Sequence, residues 1–112
     1  MKNSNYNSLL PEELIKRSYN LESIGISEIA WKSEDIIKVI DFLVDKKYVI
    51  LGGDVYSLNG NILESTYDSW YIDGSVNQSL LEDSRKKACE YINKYVKNNG
   101  NYYIYSVVCQ LV

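Results

Sequence analysis

The sequence predicts an α+β fold, a two-layer sandwich in which about three helices cover a mostly antiparallel sheet of three to five strands. Three observations predict it. Apolar residues recur at helical spacing in two stretches separated by strand-like segments, turn dipeptides punctuate the chain between Tyr48 and Ser75, and the last eleven residues alternate strictly. Helix, helix, strands, helix, strand is the order of a sheet covered by helices on one side.

The first helix begins at Pro11-Glu12-Glu13, where proline suits the first turn and acids favour the positive end of the dipole. Leu10, Leu14, Ile15 and Tyr19 fall on one side of it, and it fades near Asn20. Leu21 to Ala30, with Gly25 in its middle, reads as a turn or a short extended piece. Ser33 is a helix N-cap followed by Glu34 and Asp35, and Ile36, Ile37, Ile40, Leu43 and Val44 form an apolar stripe ending at Lys46 and Lys47. Its β-branched residues lower helix propensity, but the spacing fits no strand.

Strands begin at Tyr48. Tyr48 to Leu51 is a continuous apolar run ending at Gly52-Gly53, where the chain can bulge or turn. Val55 to Leu58 and Ile62 to Thr66 flank Asn59-Gly60, the dipeptide best suited to a two-residue type I′ turn. Trp70-Tyr71-Ile72 gives a further strand closed by Asp73-Gly74-Ser75. Ser79-Leu80-Leu81-Glu82 matches a capping box, opening the longest helix, with Leu81, Ser84, Ala88, Tyr91, Ile92 and Tyr95 on one face and Asn99-Gly100 as its stop. In the final strand Tyr103, Tyr105, Val107, Cys109 and Leu111 make an apolar face against a mixed one. Met1 to Ser8 is polar and expected to be frayed, leaving residues 9–112 as one domain with no internal repeat or linker.

At 112 residues the chain suits one domain that buries about two thirds of its surface without a disulfide or metal. The absence of histidine removes histidine-based acid–base catalysis and histidine metal sites. Cys89 and Cys109 lie among apolar neighbours with no pairing motif, as buried thiols of a reducing cytoplasm do. The N-terminal stretch holds neither a signal peptide nor a membrane span. A cytoplasmic protein with no membrane association is expected.

Charge is distributed unevenly. Residues 1–33 balance, residues 34–75 carry three lysines against eight acids, and residues 76–112 carry a net of +2; between Ile50 and Ser75 there is no Lys or Arg. An acidic middle opposes nucleic-acid binding and suits a basic partner, although the same carboxylates also serve as solubility charges on an exposed hairpin. Gly52-Gly53-Asp54 lacks the following lysine of a phosphate loop. Asp54, Asp68 and Asp73 are candidates for an acid pair or a hard-cation site, but their spacing fits no metal loop, and turn capping or partner contact is the competing reading. No nucleophile elbow is present. Neither catalytic residues, a metal nor a cofactor is expected.

Tyr56, Tyr67, Trp70 and Tyr71 share this acidic segment, and aromatics among carboxylates form a surface for Lys- and Arg-rich partners. Alternation places Trp70 and Tyr71 on opposite faces, so about half of the four belong to the core. The candidate partner-binding set is Asp54, Tyr56, Glu64, Tyr67, Asp68, Trp70, Tyr71 and Asp73.

Gly25-Ile26, Ala30-Trp31, Ile50 to Tyr56, Tyr67-Asp68-Ser69-Trp70-Tyr71, and Ser84 to Ala88 with Tyr91-Ile92 and Tyr95 resemble the immunity protein 40 family over residues 20 to 110. Gly-Gly-Asp-Val-Tyr followed by Tyr-Asp-x-Trp-Tyr is the most specific part. Ile72 departs from the pattern, where cysteine or another small residue is expected. The resemblance implies a small cytoplasmic bacterial protein of a polymorphic toxin system, without catalytic residues or cofactor, that blocks a cognate toxin domain, which a basic nuclease would exemplify. It also implies that much of the pattern is scaffold: Gly52 and Gly53 shape a bend, Trp31 or Trp70 fills the core, and exposed acids such as Asp54, Glu64, Asp68 and Asp73 make contact. The rival readings are a cytoplasmic adaptor unrelated to toxins and a small hydrolase using Asp54, Asp68 and Asp73. Nothing in the sequence fixes the oligomeric state.

Overall fold

The structure, a computed structural model, describes residues 5–74 and 76–112. In chain order it contains α1 (Glu12–Lys16), β1 (Tyr19–Asn20), β2 (Ile29–Lys32), α2 (Ser33–Asp45), β3 (Tyr48–Asn59), β4 (Ile62–Tyr71), α3 (Leu81–Asn99), β5 (Tyr103–Tyr105) and β6 (Val108–Leu111). Turns of 3₁₀ helix occupy Asn5–Leu9, Glu22–Ile24 and Gln78–Leu80. The expected frayed segment thus falls partly outside the described residues, and from Asn5 it is a 3₁₀ turn.

All strand pairs are antiparallel and form one sheet in the order β1-β2-β5-β3-β4, with β6 beside the start of β3. The α+β class and three α-helices match the sequence reading, while the sheet has six strands where three to five were expected. Two further strands flank the Leu21–Ala30 turn: β1 from the expected end of the first helix and β2 beginning at Ile29. Tyr19-Asn20 pairs with Ile29-Ala30 around the Glu22–Ile24 turn, which Gly25 closes at φ 78°. Tyr19 is therefore a strand residue, and α1 ends earlier than its apolar spacing suggests because the Ser18 hydroxyl donates to the Ile15 carbonyl and Arg17 pairs with buried Asp35 at 3.0 Å. A further strand comes from division of the C-terminal run. Ser106, fully buried, donates its N–H to the Asp54 carbonyl at 3.0 Å, and it separates β5 from β6.

Helices α2 and α3 cover one face of this sheet. Ile36, Val39, Ile40 and Leu43 of α2 and Ala88 and Ile92 of α3 pack with Trp31, Ile50, Val55, Tyr105 and Cys109, all at or near zero exposure. Burying each of these side chains contributes about 1.5–3 kcal/mol, which is why the short helices hold without strong caps. Neither expected cap forms. Ser33 lies inside α2 with Lys32 at the cap, and before α3 the capping oxygen is that of Asn77, which accepts from the Ser79 N–H. The other face carries a smaller cluster, Leu21, Ala30, Tyr56 and Ile104, covered by Ile24 and Ile26.

The β3–β4 hairpin is present, with its loop one residue later than the dipeptide suggests. Asn59 pairs with Ile62, so Gly60-Asn61 make the turn, and of these only Gly60 has positive φ (64°). A type I′ turn requires positive φ at both positions, whereas glycine at the first alone is the II′ pattern. Trp70 and Tyr71 continue β4 opposite Gly53 and Gly52, and β3 bulges against β6 between Ile50 and Gly52 without breaking. Both glycines are required there by close approach, since a Cβ on Gly52 would strike the Trp70 carbonyl and one on Gly53 the Ser106 carbonyl and the Trp70 ring. Cys109 is buried, with its thiol pushed up to about 12 by burial, Cys89 is partly exposed, and both are free.

Candidate functional surface

Alternation along β3 and β4 sorts the candidate residues into two faces. Val55 and Trp70 point to the helices, so Asp54, Tyr56, Ser69 and Tyr71 belong to the opposite face. Trp70 is 8% exposed and stacks on Tyr91 of α3 with ring centroids 5.0 Å apart, whereas neighbouring Tyr71 is 76% exposed. Tyr56 is 3% exposed and lies in the small cluster of the second face. Trp70 and Tyr56 are thus supports beneath the surface, and their side chains leave the candidate contact set. Burial first, then the charges of Asp54 and Glu28, raise the Tyr56 phenol above its ordinary value. Both carboxylates therefore act on the Tyr56 hydroxyl at the face that the helices leave open. Gly52, Asp54, Ser69, Tyr71 and Val108 line a shallow depression there.

Between Ser65 and Ser69 the strand β4 departs from regular pairing. Ser65 lies opposite Tyr56 and Ser69 opposite Asp54, so Thr66, Tyr67 and Asp68 all oppose Val55. The two extra residues form a bulge held by short-range bonds: the Thr66 hydroxyl donates to the Val55 carbonyl at 2.8 Å, and the Tyr67 and Asp68 N–H groups donate to the Ser65 and Thr66 hydroxyls at 3.1 Å. Tyr67 adopts φ 65°, in the left-handed region that a bulky residue rarely enters, and it is 92% exposed. A large aromatic is thus held in a costly conformation where it packs on almost nothing.

Asp68 faces the helices and accepts from the Tyr95 hydroxyl at 2.8 Å. Burial, reinforced by that bond, pushes the Tyr95 phenol up to about 12. Glu64 is exposed opposite Ser57, and Asp73 is exposed just beyond β4. Asp54 and Asp68 lie on opposite faces of the sheet, which overturns an acid pair made from them. Among the described residues no group of three His, Cys, Asp or Glu side chains is placed to hold a metal.

Sequence reasoning missed the contribution of Leu21–Ala30. Ile24 and Ile26 pack beside Leu63 of β4, which brings Glu22 and Glu28 to the same side of the molecule. The available signal was charge: residues 18–31, like residues 48–84, contain no Lys or Arg. Among the described residues, Lys32 is the only cation in a strand, and the ten others lie on or beside the three α-helices. In the helical layer nine acids nearly balance these cations, whereas the carboxylates of β3 and β4 have no cation in their strands.

A family model described as Immunity protein 40 matches residues 20–109. The chain belongs to the immunity protein 40 family. Members are immunity proteins by description, and the match runs from β1 into β6, taking in α2, α3, the hairpin and the β4 bulge. Only α1 and the residues before β1 precede it. No curated protein matches the chain. Among the described residues, no helix is long and apolar enough to cross a membrane.

Proposed function

We propose that this chain is a non-enzymatic immunity protein that acts in the cytoplasm by binding a cognate toxin domain and blocking it stoichiometrically. Family membership over residues 20–109 carries the reading. The contact surface is the open face and outer side of the β3–β4 hairpin, with exposed Tyr67 and Tyr71 as aromatic anchors and Asp54, Glu64, Asp68 and Asp73 as the acidic surround. Exposed tyrosines supply contact area at small entropic cost, and carboxylates in a segment without Lys or Arg speed encounter with a basic partner. No cofactor is involved in such blocking. The test is co-expression in a bacterial host of this chain with the C-terminal domain encoded immediately upstream of its gene. Restored growth together with co-purification of the two chains is the expected outcome. Killing that persists when both are expressed contradicts the reading and favours an adaptor unrelated to toxins.

A further inference from the structure

We infer that the partner is captured by strand addition, an extended segment bearing Lys or Arg pairing with the outer edge of β4 between Ile62 and Ser65; the identity of that partner as a toxin rests on the function proposed above. β4 ends the sheet, and among the described residues no other strand pairs with it. The direction of its free backbone groups follows from the hairpin. Asn59 and Ile62 close a two-residue loop, so the exchange of backbone bonds recurs at Ser57 and Glu64, while Leu63 and Ser65 turn their N–H and C=O groups outward. The Leu58 N–H agrees with this register, because it donates away from β4 to the Tyr102 carbonyl at 2.8 Å.

The edge is also shaped for a chain. A groove takes in both Leu63 and Glu64, which point to opposite faces of β4, and therefore follows the strand edge; Ile24, Ile26 and Tyr67 add its apolar wall. Beyond Ser65 the bulge uses the Tyr67 and Asp68 N–H groups internally, which ends the pairing-competent stretch after one short strand. Charge selects the occupant. Apart from Tyr103, the groove is lined from residues 18–31 and 48–84, which contain no cation; Glu64 lines it, and Glu22 and Glu28 belong to the segment that supplies Ile24 and Ile26. A second copy of this chain would set the same acids against one another, and like charges across a strand pair are destabilising. A strand with alternate Lys or Arg and apolar side chains meets the acids on one side and the Ile24–Ile26 wall on the other.

The test compares Ser65→Pro, which removes the outward N–H, with Ser65→Ala, which keeps it, each against the upstream-encoded toxin domain by titration calorimetry. Proline is tolerated where an edge N–H faces outward. Both variants lose the hydroxyl that accepts from the Tyr67 N–H, so their difference isolates the edge N–H: S65P is expected to bind about tenfold or more weaker than S65A, the equivalent of one to two backbone hydrogen bonds, and equal affinity of the two overturns strand addition. Amide exchange on the wild-type chain gives a reading independent of any variant's folding: the Leu63 and Ser65 N–H groups become protected in the complex. Toxin binding with those amides unprotected overturns strand addition and leaves the immunity function standing. If the toxin domain does not bind at all, the immunity reading fails, and an alternating Lys-Val decapeptide becomes the probe; protection of the two amides by it supports the inference and lack of protection overturns it. Protection that grows with concentration of the chain alone assigns the edge to a second copy and overturns the basic partner.

Discussion

The two faces of the hairpin use the same strands for opposite ends. On the helix side the aromatic residues are tied into one another, Trp70 stacking on Tyr91 and Tyr95 meeting Tyr103 and Tyr105 edge to face at 5.2 and 6.0 Å. On the open side and at the bulge, Tyr71 and Tyr67 stand in solvent. Residues adjacent in sequence thus divide between fold and surface, so composition alone could not have told a core tyrosine from a binding one. The contrast is sharpest at Trp70 and Tyr71, where one residue's step changes burial from nearly complete to slight.

Substitutions should separate the two faces cleanly. Trp70→Ala empties the space over Gly53 and removes the stack on Tyr91, and it should cost about 3–5 kcal/mol, measured by urea denaturation. Gly53→Ala forces a Cβ against the Ser106 carbonyl and the Trp70 ring, with an expected cost of about 1–3 kcal/mol or more. Tyr71→Ala should change stability by less than about 0.5 kcal/mol, while binding of the toxin domain weakens. A Tyr71→Ala protein as unstable as Trp70→Ala would erase the distinction. Tyr67→Gly sharpens it from the opposite direction. Relief of the left-handed backbone at φ 65° should leave stability unchanged or raise it by about 1 kcal/mol, with binding lost.

The helix side has its own signature in pH. Folding raises the Tyr95 phenol from an ordinary 10.0, and the Cys109 thiol from 9.0, each to about 12. Above the lower values the unfolded chain has released protons that the native chain still holds, so stability falls as pH rises. Thermal melts should be flat from pH 7 to about 8.5 and decline progressively toward pH 12. Tyr95→Phe and Cys109→Ala should each flatten that decline.

Much of this architecture was legible in the sequence because burial imposes periodicity. The α2 stripe, the α3 stripe, the β3–β4 hairpin and the irregularity beside Gly52 all leave marks that a single side chain's position decides. What was hidden depends on contacts distant in sequence. The Asn77 oxygen caps where a Ser79 box was expected, because the 3₁₀ turn Gln78–Leu80 precedes α3. The Tyr19–Asn20 strand exists only by pairing with Ile29–Ala30, and two residues carry no period. The candidate surface was half legible. Charge marked the acidic hairpin and alternation divided Trp70 from Tyr71, but burial of Tyr56 required the Leu21–Ile26 segment to fold over it. The outward Tyr67 required a two-residue bulge that serine and threonine hydroxyls create, and such a feature has no dipeptide signature.

The most direct test of the account is a nuclear magnetic resonance map of the surface that this chain uses in complex with the upstream-encoded toxin domain. Amide shifts on binding should concentrate in residues 62–73, at Asp54, and in the Leu21–Glu28 segment, leaving the solvent side of α2 and α3 unchanged. Shifts centred on Lys38, Arg85 or Lys94 of the helical layer would contradict it and move the binding surface to the helical face.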